Sequence, residues 1–358
     1  MSRALTAALL AALAAGAPLA LPAPPAAAAA GAYYVSPSGS DANSGTSSGS
    51  PFSTVQHALD LAPSGSVVHL AAGTYLQDVV TRRPDVTVTG PSTAVLKGAG
   101  NSRIFQVQHD GTVLDGFTVD GLFGSSSDVS GYRLKLIYVM STTPGNGVAG
   151  LRITGMTLKN AADECVRLRY LVTSAEVSEN TITNCGVADF RFGGGGKNGE
   201  GIYLGTAPEQ QGANGAPDAA ADISRGNHIR NNTIATHGNE CVDVKENSTA
   251  NYVEYNDCSA QSDPSSAGLD ARGSGNTFRY NTVHDNLGAG IRLGGDTATD
   301  GINTGIYGNT ITGNAGGGIK FMRTPQGPVC TNTMSGNTGG DAVGTYGSAY
   351  DPTGPCPQ

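Results

Sequence analysis

One short pattern recurs along the chain: an apolar residue, two positions, asparagine, one position, another apolar residue. It reads Val177, Asn180, Ile182; then Ile229, Asn232, Ile234; then Val253, Asn256, Cys258. It continues as Phe278, Asn281, Val283, as Ile306, Asn309, Ile311, and as Val329, Asn332, Met334. Leu114, Phe117, Val119 and Ile153, Met156, Leu158 repeat it with the asparagine replaced. Successive asparagines are 52, 24, 25, 28 and 23 residues apart. The 52 is either two turns or one turn carrying the Gly/Ala-rich insertion 206–224. A unit this small cannot bury its own apolar face, so it must stack on its neighbours. Leucine-rich repeats share the period, but their L-x-x-L-x-L signature is missing. Strand–turn–strand units without helical spacing predict an all-β parallel β-helix, a solenoid in which each coil climbs about 4.8 Å. The asparagines are expected to turn inward at a corner and satisfy backbone groups.

A second template trails the first: Val166/Leu168, Ile202/Leu204, Val242/Val244, Leu269/Ala271, Ile291/Leu293 and Ile319/Phe321. Stacked, it predicts one outward column of Arg167, Tyr203, Asp243, Asp270, Arg292 and Lys320. A second column, two residues on, holds Arg169, Gly205, Lys245, Arg272, Gly294 and Met322. A third, just before the strand, holds Glu164, Glu200, Glu240, Ala267 and Ala289. Strict alternation would turn those glutamates inward, so their direction depends on the preceding turn. Asp243 and Asp270 fall about one strand spacing apart, a repulsive arrangement relieved by a shared proton, by a bound cation such as Ca²⁺, or by flanking bases. Lys245, Arg272 and Arg292 are such bases. Charged residues are only 14% of the chain, against about 25% in ordinary proteins, so their clustering on two adjacent coils marks a candidate site. Asp263, Asp296 and Asp300 read as turn formers.

Glycine, 52 of 358 residues, is about twice its usual share and fits a chain of short strands and turns. Residues 31–358 read as a single β-helix domain, with 31–65 as an N-terminal cap region. Within it, the capping-box pattern Ser53 to Gln56 predicts a helix burying Val55, Ala58, Leu59 and Ala62, stopped by Pro63-Ser64-Gly65. That helix is expected to cap the open end of the stack. Strands at 66–70 and 86–89 follow, joined by a turn-rich 71–85. Residues 1–30 read as a secretory signal peptide, with Arg3, an apolar run over 4–21 and small residues over 26–30. The expected protein is secreted, extracellular and monomeric, with no membrane partner. Its six cysteines are expected in disulfides, with Cys330–Cys356 tying down the tail. A net charge of −8 argues against a general nucleic-acid binder but not against a locally basic groove for an acidic polymer.

The opening Tyr33-Tyr34-Val35-Ser-Pro-Ser-Gly-Ser-Asp, then Pro51-Phe52-Ser-Thr-Val-Gln-His-Ala and Ala72-Gly73-Thr74-Tyr75, resembles the start of family-nine polysaccharide lyases. With the N-x-I coil signature, the mature chain resembles the pectate-lyase superfamily of secreted right-handed β-helix proteins. The resemblance implies an acidic polysaccharide substrate, pectate or alginate in type, cleaved by β-elimination. In such lyases a Lys or Arg removes the C5 proton of a uronate, while Ca²⁺ and basic side chains neutralise its carboxylate. Lys245 matches the base, and Arg272 resembles the arginine accompanying the lysine in family six. Asp243, Asp270 and Glu240 would hold the cation; Arg292, Lys320, Tyr203 and Arg169 would bind substrate. The clustered Asp-Asp-Gly-x-Asp of family nine is absent, which leaves metal and polymer open. A glycoside hydrolase using Asp243, Asp270 and Glu240, a uronate epimerase and a non-catalytic carbohydrate-binding protein are the alternatives.

Overall fold

The computed structural model describes residues 29–356; the signal-peptide expectation for 1–30 falls almost wholly outside them. Three parallel sheets run the length of the molecule. Sheet A has 11 strands, from Ala32–Val35 to Val329–Cys330. Sheet B has 10, from Gly73–Tyr75 to Thr333–Ser335, and sheet C has 10, from Val79–Val80 to Ala342–Val343. The chain visits A, B and C in turn, so each coil contributes one strand of two to five residues to each wall. This is the parallel β-helix expected from the repeat. The 52-residue interval proves to be one coil, because Val177 pairs directly with Ile229. Two excursions lengthen it, one between Thr183 and Ile202 and the insertion between Leu204 and His228.

Inward residues of all three walls form one continuous apolar core from Val35 to Phe321. The asparagine column lies inside the corner between sheets A and B. Asn232 Nδ2 donates to Asn256 Oδ1 at 2.9 Å and to the Val177 carbonyl at 2.9 Å, while Asn256 Oδ1 also accepts from the Asn232 backbone N–H. Each rung repeats this, so every corner N–H has an acceptor where no strand ladder continues. The two other corners carry ladders that the sequence template did not isolate, Asn227–Asn251–Asn276 and Asn286–Asn314–Asn337.

The predicted helix forms over Val55–Leu61 and buries Val55, Ala58 and Leu59. Its cap is Thr54, whose hydroxyl accepts from the His57 N–H, and not Ser53. Asp41 takes the N–H groups of both Ser53 and Thr54 at 2.9 Å and so fixes the helix start one residue later. The turn-rich stretch 71–85 contains two short strands, Gly73–Tyr75 and Val79–Val80, too brief to show alternation in sequence. Cys330–Cys356 forms as expected, alongside Cys165–Cys185 and Cys241–Cys258. Three disulfides fit an oxidising compartment. Among the described residues no helix is long and apolar enough to cross a membrane.

Candidate active site

The register of sheet C places Arg167, Tyr203, Asp243, Asp270, Arg292 and Lys320 opposite one another in a single outward column. The glutamates join it. Between Glu240 and Asp243 lie two consecutive core residues, Cys241 and Val242, so alternation breaks and both acids emerge on the same face. Cys165-Val166 has the same effect for Glu164 and Arg167, and the pair bridges at 2.6 Å. The turn therefore settles the direction that alternation left open.

Carboxylate oxygens of Glu200, Glu240 and Asp243 all lie within 4.8 Å of one another. Ser266 donates to Glu240 Oε1, but Glu240 Oε2, Asp243 Oδ1 and Asp270 Oδ1 are buried without a hydrogen-bond partner. Burial, aided by Glu164, pushes the Glu200 carboxyl up to about 7. Burial and then Asp243 hold Glu240 well above the usual carboxylate range. Hard oxygens this close, with free lone pairs and little water, fit a divalent cation such as Ca²⁺. Of the carboxylates singled out in the sequence, Glu240 and Asp243 fall in this cluster together with Glu200, whereas Asp270 pairs with Arg292 Nη1 at 2.7 Å.

Lys245 Nζ reaches Asp243 Oδ2 at 2.6 Å and lies 4.5 Å from the Tyr203 ring centre. Burial by itself would lower the ammonium's pKa, but Asp243, Tyr203 and the two glutamates hold it well above its ordinary value. Gly205, one coil below in the same column, leaves room for it: a Cβ there would meet Ser248 Oγ at 2.2 Å and Lys245 Cβ at 3.2 Å. Arg272 bonds Glu246 and Asp296. With Arg292, these groups border a cleft of about 390 Å³ on sheet C. Its acids are Glu200, Glu209, Glu240, Asp243, Asp263, Asp270 and Asp296, and its bases Lys197, Lys245, Arg272 and Arg292. The cleft is therefore acidic in balance.

Of the expected substrate-binding residues, Arg292 borders this cleft. Tyr203 lies 3% exposed beneath it, with the Arg167 guanidinium 3.4 Å from its ring centre. Lys320 sits at its edge, donating to the Ser265 carbonyl at 3.2 Å. Arg169 does not reach it. It is 2% exposed and donates to Tyr138 Oη and to the carbonyls of Gln210 and Ala213, holding the insertion down over sheet C. Asp263 and Asp296, read as turn formers, border the cleft, as do Lys197 and Glu209 from the two excursions. Nothing in the repeat pattern could have located the excursion residues, because insertions have no register.

A parallel β-helix carrying a charged cleft on one sheet is the class that this architecture defines. Within it, the chain belongs to the family described as "Protein of unknown function (DUF1565)", whose model matches residues 37–286. No curated protein matches it in sequence. Its solved structural neighbours share the fold at low identity. The alginate lyase from Paenibacillus sp. str. FPU-7 superposes with a TM-score of 0.64 at 19% identity, covering 81% of this chain and 93% of that one. The polygalacturonase from Erwinia carotovora ssp. carotovora gives 0.56 at 15% identity, covering 84% and 82%. Pectate lyase Pel9A gives 0.54 at 13%, covering 87% and 79%.

Proposed function

We propose that this protein is an exported polysaccharide-active enzyme that cleaves a uronate-containing polymer by β-elimination in the sheet C cleft. The observation that carries the reading is the close placement of Lys245 against Asp243, Glu200 and Glu240, with Arg272 and Arg292 on the coils above. The neighbours that act on alginate and pectate support the substrate class, and the likeness of the opening residues to lyase family nine points the same way.

The cleft's excess of acid would repel a polyanion. Glu200, Glu240 and Asp243 would hold a divalent cation, which would supply positive charge for the substrate carboxylate and offset the acidic groups around Lys245. Lys245 Nζ, as the neutral amine, accepts the C5 proton; the C5–H electron pair forms the C4–C5 double bond and the C4–O4 bond breaks, with O4 taking a proton from solvent to leave as a hydroxyl. Arg272 and Arg292 orient the uronate carboxylate, whose charge stabilisation makes that proton removable. Tyr203, fixed between Arg167 and Lys245, positions the base.

A second reading is favoured by one observation. Burial raises the Glu200 carboxyl to about 7 and holds that of Glu240 well above the usual carboxylate range, both beside Asp243, an acid-and-carboxylate arrangement that also suits a glycoside hydrolase. The two readings separate in one assay. The protein is incubated with pectate, alginate and glycosaminoglycans, with Ca²⁺ or with a chelator, while ultraviolet absorbance of the unsaturated product is followed. Ca²⁺-dependent absorbance is expected. New reducing ends without absorbance would replace the lyase by the hydrolase.

A further inference from the structure

The corner between sheets A and B lies across the coil from sheet C. Its outermost position is left-handed in successive coils, at Gly155, Glu179, Asn231, Tyr255, Tyr280, Gly308 and Thr331. Glycine and asparagine suit that conformation; a bulky aromatic does not. Yet two adjacent coils place tyrosine there, both at φ 56. Glu179 and Thr331 hold it too, so the corner imposes the conformation, and what sets these two coils apart is an exposed aromatic ring. Both rings are among the most exposed apolar groups of the described residues, at 53% and 44%.

The rings are organised. Tyr255 and Tyr280 stack with centroids 5.1 Å apart and planes 24° apart, and Tyr307 meets Tyr280 edge-on at 5.9 Å. A separation of 5.1 Å exceeds face-to-face contact, so the rings are offset and each leaves part of its face to solvent. Gly308 clears the space for Tyr280: a Cβ there would sit 2.6 Å from the ring. Alongside run polar groups that are themselves fixed. Arg279 bridges Glu254 at 2.6 Å and donates to Tyr307 Oη, and His228 stacks on Tyr252 with centroids 4.7 Å apart.

We propose that this corner is a second, non-catalytic binding surface for a polysaccharide chain. A pyranose ring has an apolar, electropositive C–H face and a rim of hydroxyls. The first complements the negative face of tyrosine, and the second complements Arg279, Glu254 and His228. The net charge of −8 disfavours nucleic acid. The surface would tether the protein to polymer on the side away from the cleft, whatever reaction the cleft performs.

The test is sedimentation of the protein with calcium pectate gel, calcium alginate gel and microcrystalline cellulose, comparing wild type with Tyr255→Asn/Tyr280→Asn. Asparagine removes the rings and relieves the left-handed backbone, so folding is preserved and the melting temperature should not fall. Wild type is expected to be retained on at least one polymer, and the asparagine variant to bind it about tenfold more weakly or worse, as two lost stacking contacts imply. Tyr255→Phe/Tyr280→Phe, which keeps the rings, should bind like wild type. Retention of wild type on none of the three polymers, or undiminished retention of the asparagine variant, overturns the proposal. So does a change confined to self-association in sedimentation velocity, which would make the corner a protein interface. Every arm also carries Lys245→Ala, so the gel is not cut during sedimentation and failure of the lyase reading leaves this test intact.

Discussion

Lys245 is held by an ion pair to Asp243 and by the Tyr203 ring, in space that Gly205 leaves open. Lys245→Ala is expected to abolish product absorbance while keeping a native circular dichroism spectrum, with a lower melting temperature because Asp243 loses its buried partner; a fully active variant would remove the proposed base. Glu200 yields a pH prediction. Its folded carboxyl is raised from 4.5 to about 7, so the protonated form is favoured by folding. That contribution is complete below pH of about 4.5 and disappears as pH rises through about 7. In chelator, the melting temperature of wild type should therefore fall across that window more steeply than that of Glu200→Gln. Ca²⁺ added at pH 7 should raise the wild-type melting temperature, because a ligand of the native state stabilises it, and should raise that of Glu200→Gln less. A null effect of Ca²⁺ on wild type would sink the cation site.

At the scale of elements, the asparagine ladder does for the corners what strand pairing does for the walls. Asn256 donates to the Ile229 carbonyl and to Asn281, and accepts from both the side chain and the backbone N–H of Asn232. Asn256→Ala leaves several buried polar groups unpaired, at a cost of about 3 kcal/mol, measurable by urea titration. Thr310→Ala, on the exposed face of sheet B, should stay within about 0.5 kcal/mol. The insertion is a different kind of element. Its position depends on Arg169, on Arg167 reaching Gln210, and on Asp222 accepting from the Tyr170 and Leu171 N–H groups. Arg169→Ala should raise hydrogen exchange over 208–218 without changing exchange in the sheet C strands.

Across the whole molecule each coil touches only its neighbours, so stability is passed along a one-dimensional stack and the ends are its weak points. Cys330–Cys356 closes the C-terminal end over a sequence separation of 26. The chain-entropy relation assigns such a loop about 3.5 kcal/mol. Cys330→Ser/Cys356→Ser should unfold from the last coils first, with exchange rising over 319–350 before the N-terminal coils respond. Simultaneous opening of all coils would contradict the stack picture.

The repeat was legible in the sequence because a solenoid makes equivalent residues recur at nearly constant spacing. With it came the parallel stack, the inward asparagines, and the outward column running from Arg167 to Lys320. Cys330–Cys356 was legible because it pairs the last two cysteines of a chain end. The direction of Glu200 and Glu240 was not legible, since two consecutive inward residues break the alternation on which a strand reading depends. Nor was the grouping of Glu200 with Glu240 and Asp243, while Arg292 claims Asp270 from the coil above. Arg169 shares a column with Lys245 yet lies under the insertion. Sequence determines which residues share a wall, because that follows from local period. Which of them meet in a cleft was decided only by the tertiary structure, because turns and insertions set side-chain direction and access without any period of their own.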